Sequence, residues 1–460
     1  MFTSLTRNGR NLAAVVAAAS VITSITLGAR STFGLYLKPV IGDLGTGREM
    51  FSLAIAIQNL VWGFSQPFAG AIADRYGSAR VLSVGGVGYA LALILMSSAE
   101  SSGLFILSAG FLVGLATGAA SFSVVLAAVG RMAPPEKASM ALGVVTAMGS
   151  VGQFVLIPIT GRLIEAHGWR TTATILACFV ATVIVFARPV RGKAVEQQAA
   201  VASNVSGPPV ALSSELRRAF AHRSFLLLNA AFFVCGFHVT FIATHLVSYA
   251  DDVGVSEGPA RTGLALIGLF NIFGSLLAGY LGSRRPKTYL LSGIYAMRAV
   301  VITAFVLIPV SATTVVVFGA AIGLLWLSTV PLTGGILASQ LGTTHYGTLF
   351  GIVFLAHQLG AFTGVWLGGR LADSTGSYRV VWWIAVGLGL MAALLHLFIS
   401  EAPAPPAPAR AEGSGRFVPA GAAAGAVVVV VAAGAAALTA QPMSAEATEL
   451  APYLCVLHAG

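Results

Sequence analysis

Arg30, Arg298, His238, His245 and His357 all stand inside long apolar stretches of this chain. A guanidinium in such a place holds a carboxylate through paired, charge-assisted hydrogen bonds. An imidazole, with an unperturbed pKa of about 6.5, exchanges a proton near neutrality. Amide side chains at Gln58, Asn59, Gln66, Gln153, Asn271 and Gln358, and the rings of Tyr36 and Trp326, lie in the same apolar segments. These are the makings of an anion site with a proton switch beside it. Covalent chemistry has no comparable support. The chain lacks G-x-x-x-x-G-K-[ST], H-E-x-x-H and G-x-S-x-G, which serve P-loop phosphate binding, zinc hydrolysis and nucleophilic serine. No enzyme, metal or cofactor is expected. Cys178, Cys235 and Cys455 lack metal or disulfide spacing, and the first two read as packing residues.

The elements that carry these residues follow from composition. Hydrophobic residues make up 57% of the 460 and charged ones 9%, with a mean hydropathy of +0.87; soluble domains carry about 25% charge. This is an all-α, polytopic membrane protein. Apolar runs predict helices near 12–37, 50–72, 81–99, 103–130, 138–162, 170–187, 224–248, 262–282, 288–309, 313–340, 348–370 and 380–399. Each crosses a hydrocarbon core of about 30 Å at about 1.5 Å per residue. The first continues to Leu37 without a cleavage site, so it reads as a retained helix rather than a signal peptide.

The net charge of +10 reports topology rather than a nucleic-acid partner. With the N-terminus inside, 17 Lys and Arg fall in cytoplasmic segments and 7 in external ones, leaving Arg30 and Arg298 as the embedded pair among 26. That bias is the positive-inside rule. It predicts a multi-pass protein of the cytoplasmic membrane with a cytoplasmic N-terminus.

The twelve helices are two copies of six. An offset of 209 pairs Gly70 with Gly279 and Arg75 with Arg284. An offset of 208 pairs Gly161-Arg-Leu with Gly369-Arg-Leu, Gly143 with Gly351, Gly152 with Gly360 and Phe154 with Phe362. The expected organisation is a six-helix bundle at 11–187, a polar linker at 188–221, a second bundle at 222–400 and a tail at 401–460. Repeats of this kind are a transporter signature, with the substrate site at their interface near the bilayer midplane.

The segment "GAIADRYGSAR" between helices 2 and 3 resembles the loop signature of the major facilitator superfamily, roughly G-x-x-A-D-R-x-G-R-[RK]. Gly70, Ala73, Asp74, Arg75, Gly77 and Arg80 match, while Ser78 and Ala79 depart from it. The resemblance covers residues 10 to 400. It implies the major facilitator fold, and a gating latch on the cytoplasmic side carried by Asp74, Arg75 and Arg80. The second copy has Ser283 in place of Asp74, so its latch is expected to be weaker. "ARSTFGLYLKP" and "MFSLAIAIQNLVWGFSQPFAG" are similar to the bacterial monocarboxylate-porter and oxalate/formate-antiporter branch. Members of that branch often carry an arginine in helix 8, in a pattern like N-x-x-G-R. Here the pattern reads Asn271-Ile-Phe-Gly274-Ser275, so that anchor is missing and the weight moves to Arg30.

The 208 offset also aligns "LGARSTF" at 27–33 with "CGFHVTF" at 235–241, which places Arg30 opposite His238. The resemblance implies that these two helices line the central cavity. Arg30 lies about 22 Å along its helix from Val15. An unpaired guanidinium there costs about 2.5–3.5 kcal/mol on insertion scales, unless it snorkels or meets an anion. All 16 Asp and Glu map to loops, helix ends or the tail. With no buried carboxylate, His238, His245 and His357 become the proton-coupling candidates. The reading is that Arg30 anchors a substrate anion and His238 takes up the accompanying proton. Asn59, Asn271, His357, Gln358, Tyr36 and Trp326 complete the candidate substrate site, and Arg298 on helix 9 is expected to be structural.

The expected function is therefore alternating-access transport of a small organic anion, a monocarboxylate, by a monomer in a lipid bilayer. Histidine carries the coupling where protons drive it. The alternatives are efflux of a drug-like or amphiphilic molecule and a transporter-like sensor without flux. After Glu401 comes a Pro/Ala-rich tail whose segment 420–439 is uncharged over twenty residues. It reads either as a thirteenth span or as low-complexity sequence.

Overall fold

The computed structural model describes residues 12–120, 122–133, 135–190, 212–342 and 346–404. Segment 420–439, Cys455 and most of the 188–221 linker lie outside the described residues. What is described is helical almost throughout. Apolar side chains surround these helices on every face, and in hydrocarbon only a helix or a closed barrel satisfies its own backbone. Ten stretches are long and apolar enough to cross a membrane. Ala141–Val190 contains two of the predicted crossings, which divide at Gly168, and Arg48–Tyr76 adds a less apolar helix of 29 residues. That makes the twelve crossings expected.

In chain order, α1 is Leu12–Ser31, prolonged by a 3-10 turn at Phe33–Tyr36 and a short helix at Leu37–Leu44. Next come α2 (Arg48–Tyr76) and α3 (Ser78–Ser97). The fourth crossing, α4, spans 102–132 and is interrupted after Ala119. The stretch Pro135–Ala181 divides at Gly168, whose φ of +76° only glycine adopts without strain, into α5 and α6. The second set is α7 (Arg223–Asp252), α8 (Glu257–Gly282), α9 (Lys287–Leu307), α10, α11 (Tyr346–Thr375) and α12 (Arg379–Leu397). Here α10 is two pieces, Ala312–Leu325 and Thr329–Leu341. Its break lies 208 residues beyond the break in α4, so the repeat extends to the irregularities.

The packing repeats as well. In the first set α1 lies on α5, α2 on α4 and α3 on α6; in the second α7 lies on α11, α8 on α10 and α9 on α12. The repeated glycines explain the register. A Cβ at Gly152 would lie 2.1 Å from the Ser24 carbonyl oxygen of α1, and one at Gly360 would lie 1.9 Å from that of Phe233 in α7. Small residues at membrane helix contacts let backbones touch, and these two positions are that contact made twice. Across the halves, α2 packs on α11 and α5 on α8.

Those cross-half contacts are tied by charge at one end of the bundle, the end bearing the α1–α2 turn. Lys38 pairs with Asp251 and, at 2.8 Å, with Asp252. Arg48 also pairs with Asp252, Arg370 with Glu49 at 2.9 Å, and Arg261 with Glu165. The Glu49 amide donates to Asp373 Oδ2 at 2.7 Å. At the opposite end, among the described residues, the ion pairs join groups within one half, as Lys287 with Glu401 at 3.3 Å. The side-chain exposure agrees. On α1, Ala14 and Ala17 are exposed and Leu27 and Arg30 half-buried, whereas Thr32–Leu37 are buried. The halves are closed at the α1–α2 end and part toward the other.

Candidate functional site

Arg30 occupies the last turn of α1, directly before the kink that begins at Thr32. Its Nη2 donates to Asn59 Oδ1 on α2. Asn59 is itself fixed, because its Nδ2 donates to the Ile55 carbonyl at 2.7 Å. One turn on, the Trp62 ring lies under the guanidinium with the carbon 4.6 Å from the ring centroid, a cation–π arrangement. Both of those partners are neutral. Among the described residues no carboxylate pairs with Arg30, and its Nε is buried without a hydrogen-bond partner in the protein. The phenols of Tyr89 on α3 and of Tyr36 lie in the neighbourhood of this guanidinium. Both hydroxyls are buried and unpartnered, as is Trp62 Nε1. Native proteins rarely leave several buried donors unsatisfied at one place.

From Trp62 a run of rings crosses between the halves. Phe354 of α11 meets Trp62 edge-on at 5.2 Å. His357 lies parallel to Phe354 at 5.7 Å and an interplanar angle of 5°, and Phe232 of α7 packs against His357 at 5.1 Å. His357 Nδ1 is 3.4 Å from Gln358 Oε1, and Cys235 Sγ is its neighbour. Gln358 packs against Gly63 of α2, with Nε2 buried and unpartnered. Arg30, Asn59, His357 and Gln358 are thus brought to one region at the α2–α11 contact.

His238 and His245 are placed elsewhere. His238 Nε2 is 2.8 Å from the Ala385 carbonyl on α12, inside its own half, so it does not share a site with Arg30 despite their equivalence in the repeat. His245 has both nitrogens engaged, by the Tyr378 hydroxyl at 3.1 Å and the Val365 carbonyl at 3.0 Å. Asn271 bridges the halves from α8. Its Nδ2 donates to Ser150 Oγ on α5 at 2.8 Å, while its Oδ1 accepts the Leu327 amide at 2.9 Å in the break of α10. Trp326 caps the first piece of α10 and is buried. Gln58 donates to the Ala109 carbonyl, an interhelical bond of 2.8 Å.

Arg298 is the second embedded cation. It is buried, and its Nε and Nη2 donate to the Leu325 carbonyl at 3.1 and 2.6 Å, with Nη2 also reaching the Trp326 carbonyl. These carbonyls end a helix segment and have no intrahelical partner, and the dipole there favours a cation.

The loop signature lies at the open end. Gly77, with φ of +99°, makes the tight turn from α2 to α3 that a side chain would strain. Arg75 lies over the Tyr76 ring at 5.4 Å, and Arg80 Nη1 donates to the Tyr76 carbonyl at 3.4 Å. Gly70 is on the open face of α2, and the Asp74 side chain lies outside the description.

Sequence reasoning missed Trp62, Tyr89 and Phe354. Two signals were available. Trp62 follows Asn59 at a spacing of three, one face of a helix, and the 209 offset puts Tyr89 opposite Arg298.

Residues 19–330 match the family model described as Major Facilitator Superfamily. The chain is 24% identical over 384 residues to the uncharacterized MFS-type transporter YcxA of Bacillus subtilis (strain 168), covering 80% of this chain and 90% of that protein. It is 24% identical over 392 residues to monocarboxylate transporter 13 of Rattus norvegicus, covering 84% and 89%. To monocarboxylate transporter 12 of Homo sapiens it is 29% identical over 346 residues, covering 67% and 65%. Among solved structures, a bacterial homolog of the human lysosomal transporter Spinster superposes with a TM-score of 0.64 at 15% identity, covering 84% of this chain and 96% of that one; at that identity the likeness is one of fold. With the matched model, the duplicated six-helix architecture and the signature turn in agreement, this chain belongs to the Major Facilitator Superfamily and is a multi-pass membrane transporter.

Proposed function

We propose that the protein carries a small organic anion, a monocarboxylate, by alternating access, and that Arg30 is its anchor. One observation carries this: Arg30 is a half-buried cation held by a neutral amide and a ring face, with no carboxylate to balance it among the described residues. A bound carboxylate supplies the missing charge and accepts the unpartnered donors around it. The relatives named monocarboxylate transporters support the substrate class. With the N-terminus cytoplasmic, as the charge bias suggests, the ion-paired end faces outward and the end without cross-half ion pairs faces inward.

Where protons drive transport, His357 is the coupling group. It lies in the ring run that starts at Arg30, whereas His245 has both nitrogens engaged and His238 turns toward α12. The test is flux into proteoliposomes of lactate, formate, oxalate and an aromatic acid at two pH values. The reading expects uptake of at least one monocarboxylate, abolished by Arg30→Gln and reduced by Arg30→Lys. Unchanged rate and affinity in well-expressed Arg30→Lys would sink Arg30 as the anchor. Full pH dependence in His357→Gln would remove histidine coupling through that residue.

A further inference from the structure

We propose that the carboxylate held at Arg30 belongs to an aromatic acid, or one of similarly planar and apolar body, seated against the α11 ring stripe. This rests on the anion-transport reading and goes beyond it to the class of substrate.

The geometry begins with how Arg30 is occupied. Trp62 covers one face of its guanidinium. A carboxylate pairs with a guanidinium in its plane rather than over its face. A ligand bound there therefore projects its body alongside Trp62, and the group next in line is Phe354, in contact with Trp62 at 5.2 Å. The two steps keep Phe354 within about 10 Å of the anchoring charge.

The second observation is the face that α11 presents below that point. Tyr346, Phe350, Phe354 and His357 recur at spacings of four, four and three, which is one stripe of a helix. Tyr346 and Phe350 stack at 5.7 Å and 17°, and Phe354 and His357 at 5.7 Å and 5°. Tyr346, Phe350 and Phe354 are half-buried rather than buried; Tyr346 and Phe350 lie toward the end of α11 away from the ion pairs and pack beside Gly334 of α10. A stripe of ring faces leads from the open end to the arginine. Aromatic rings gain from offset or edge-on contact with other rings beyond the area they bury. A two- or three-carbon acid is too short to reach from the Arg30 plane across Trp62 and cover this surface. An aryl acid places a ring beyond its carboxylate, toward Trp62 and Phe354.

The experiment uses the full-length protein purified in detergent, with phenylacetate and lactate as probes and calorimetry as the readout. Phenylacetate is expected to bind at least tenfold more tightly than lactate. Phe354→Ala is expected to lose at least that tenfold for phenylacetate while shifting lactate less than twofold. Phe354→Tyr keeps the preference and Phe354→Leu, which retains bulk without a ring, loses most of it; the Leu variant also serves if the Ala variant does not fold. Equal affinity for the two acids, or equal weakening of both by Phe354→Leu, overturns the inference while leaving anion transport standing. Binding of neither acid to the wild-type protein overturns both.

Discussion

Arg30 and Arg298 both stand inside long apolar stretches of sequence, and the groups around them differ in kind. Arg298 is spent: its donors close the carbonyls of Leu325 and Trp326, where α10 breaks. Arg30 is not spent, for its partners are one amide and one ring face, and its Nε is left over. A guanidinium absorbed by main-chain carbonyls belongs to the scaffold, and removing it leaves those carbonyls orphaned. A guanidinium held by neutral side chains at the junction of two halves keeps its charge available. What the remaining donors meet distinguishes the pair.

The largest effect should come from Arg298→Met. Two buried carbonyls lose three hydrogen bonds, at about 1–3 kcal/mol for each group left unsatisfied. Thermal unfolding in detergent should show a loss of about 3 kcal/mol or more, with little folded protein recovered at worst. The same variant at the other site, Arg30→Met, should cost almost no stability, because it also removes the burden of a poorly paired cation. Equal losses at both positions would break the comparison.

Next is function at the first arginine. Arg30→Gln keeps a donor but removes the charge, and a charge-assisted hydrogen bond contributes about 1.5–3 kcal/mol. Uptake at low substrate should fall about 10- to 100-fold while the unfolding temperature stays near wild type. Asn59→Asp sharpens the point with a smaller change. It places a carboxylate where Arg30 now meets an amide, so the protein supplies its own counter-ion. Substrate affinity should drop about tenfold, as an internal ligand competes for the same guanidinium, while the gain in stability from the new ion pair is offset by the lost Asn59–Ile55 hydrogen bond. An Asn59→Asp protein that binds substrate as tightly as wild type would mean that the anion pairs elsewhere.

Much of this was legible in the sequence, and the part that was not has a physical reason. The twelve crossings follow from apolar runs of helix length, and the duplication from Gly152 and Gly360, which mark the same backbone contact in each half. Arg30 declared itself as a charge without a partner. Its relation to His238 did not survive folding, because equivalence in a repeat places residues at matching points of two bundles and not beside each other. Arg298 could not be resolved from its own helix, since its partners are main-chain oxygens exposed by a break in α10. Such a break shows in the sequence only as Trp326-Leu-Ser328. Trp62 and Phe354 read as ordinary apolar residues until the halves are docked.

Tyr89 gives the smallest and most discriminating test. The offset of 209 that pairs Arg75 with Arg284 also sets Tyr89 opposite Arg298, so the two halves place a phenol and a guanidinium at equivalent depth. In the second half that position serves the scaffold. In the first, the Tyr89 hydroxyl is buried without a partner near the charge of Arg30. If the hydroxyl serves the substrate, Tyr89→Phe deletes one ligand hydrogen bond, about 1 kcal/mol, and affinity should fall about fivefold with kinetics otherwise intact. Stability should hold or rise slightly, because a buried hydroxyl without a partner is a cost that phenylalanine removes. If the position is structural in both halves, affinity will not change and stability will carry whatever effect appears. Measuring both on the same preparation therefore decides whether the asymmetry between the two arginines extends to the residues that answer each other across the repeat.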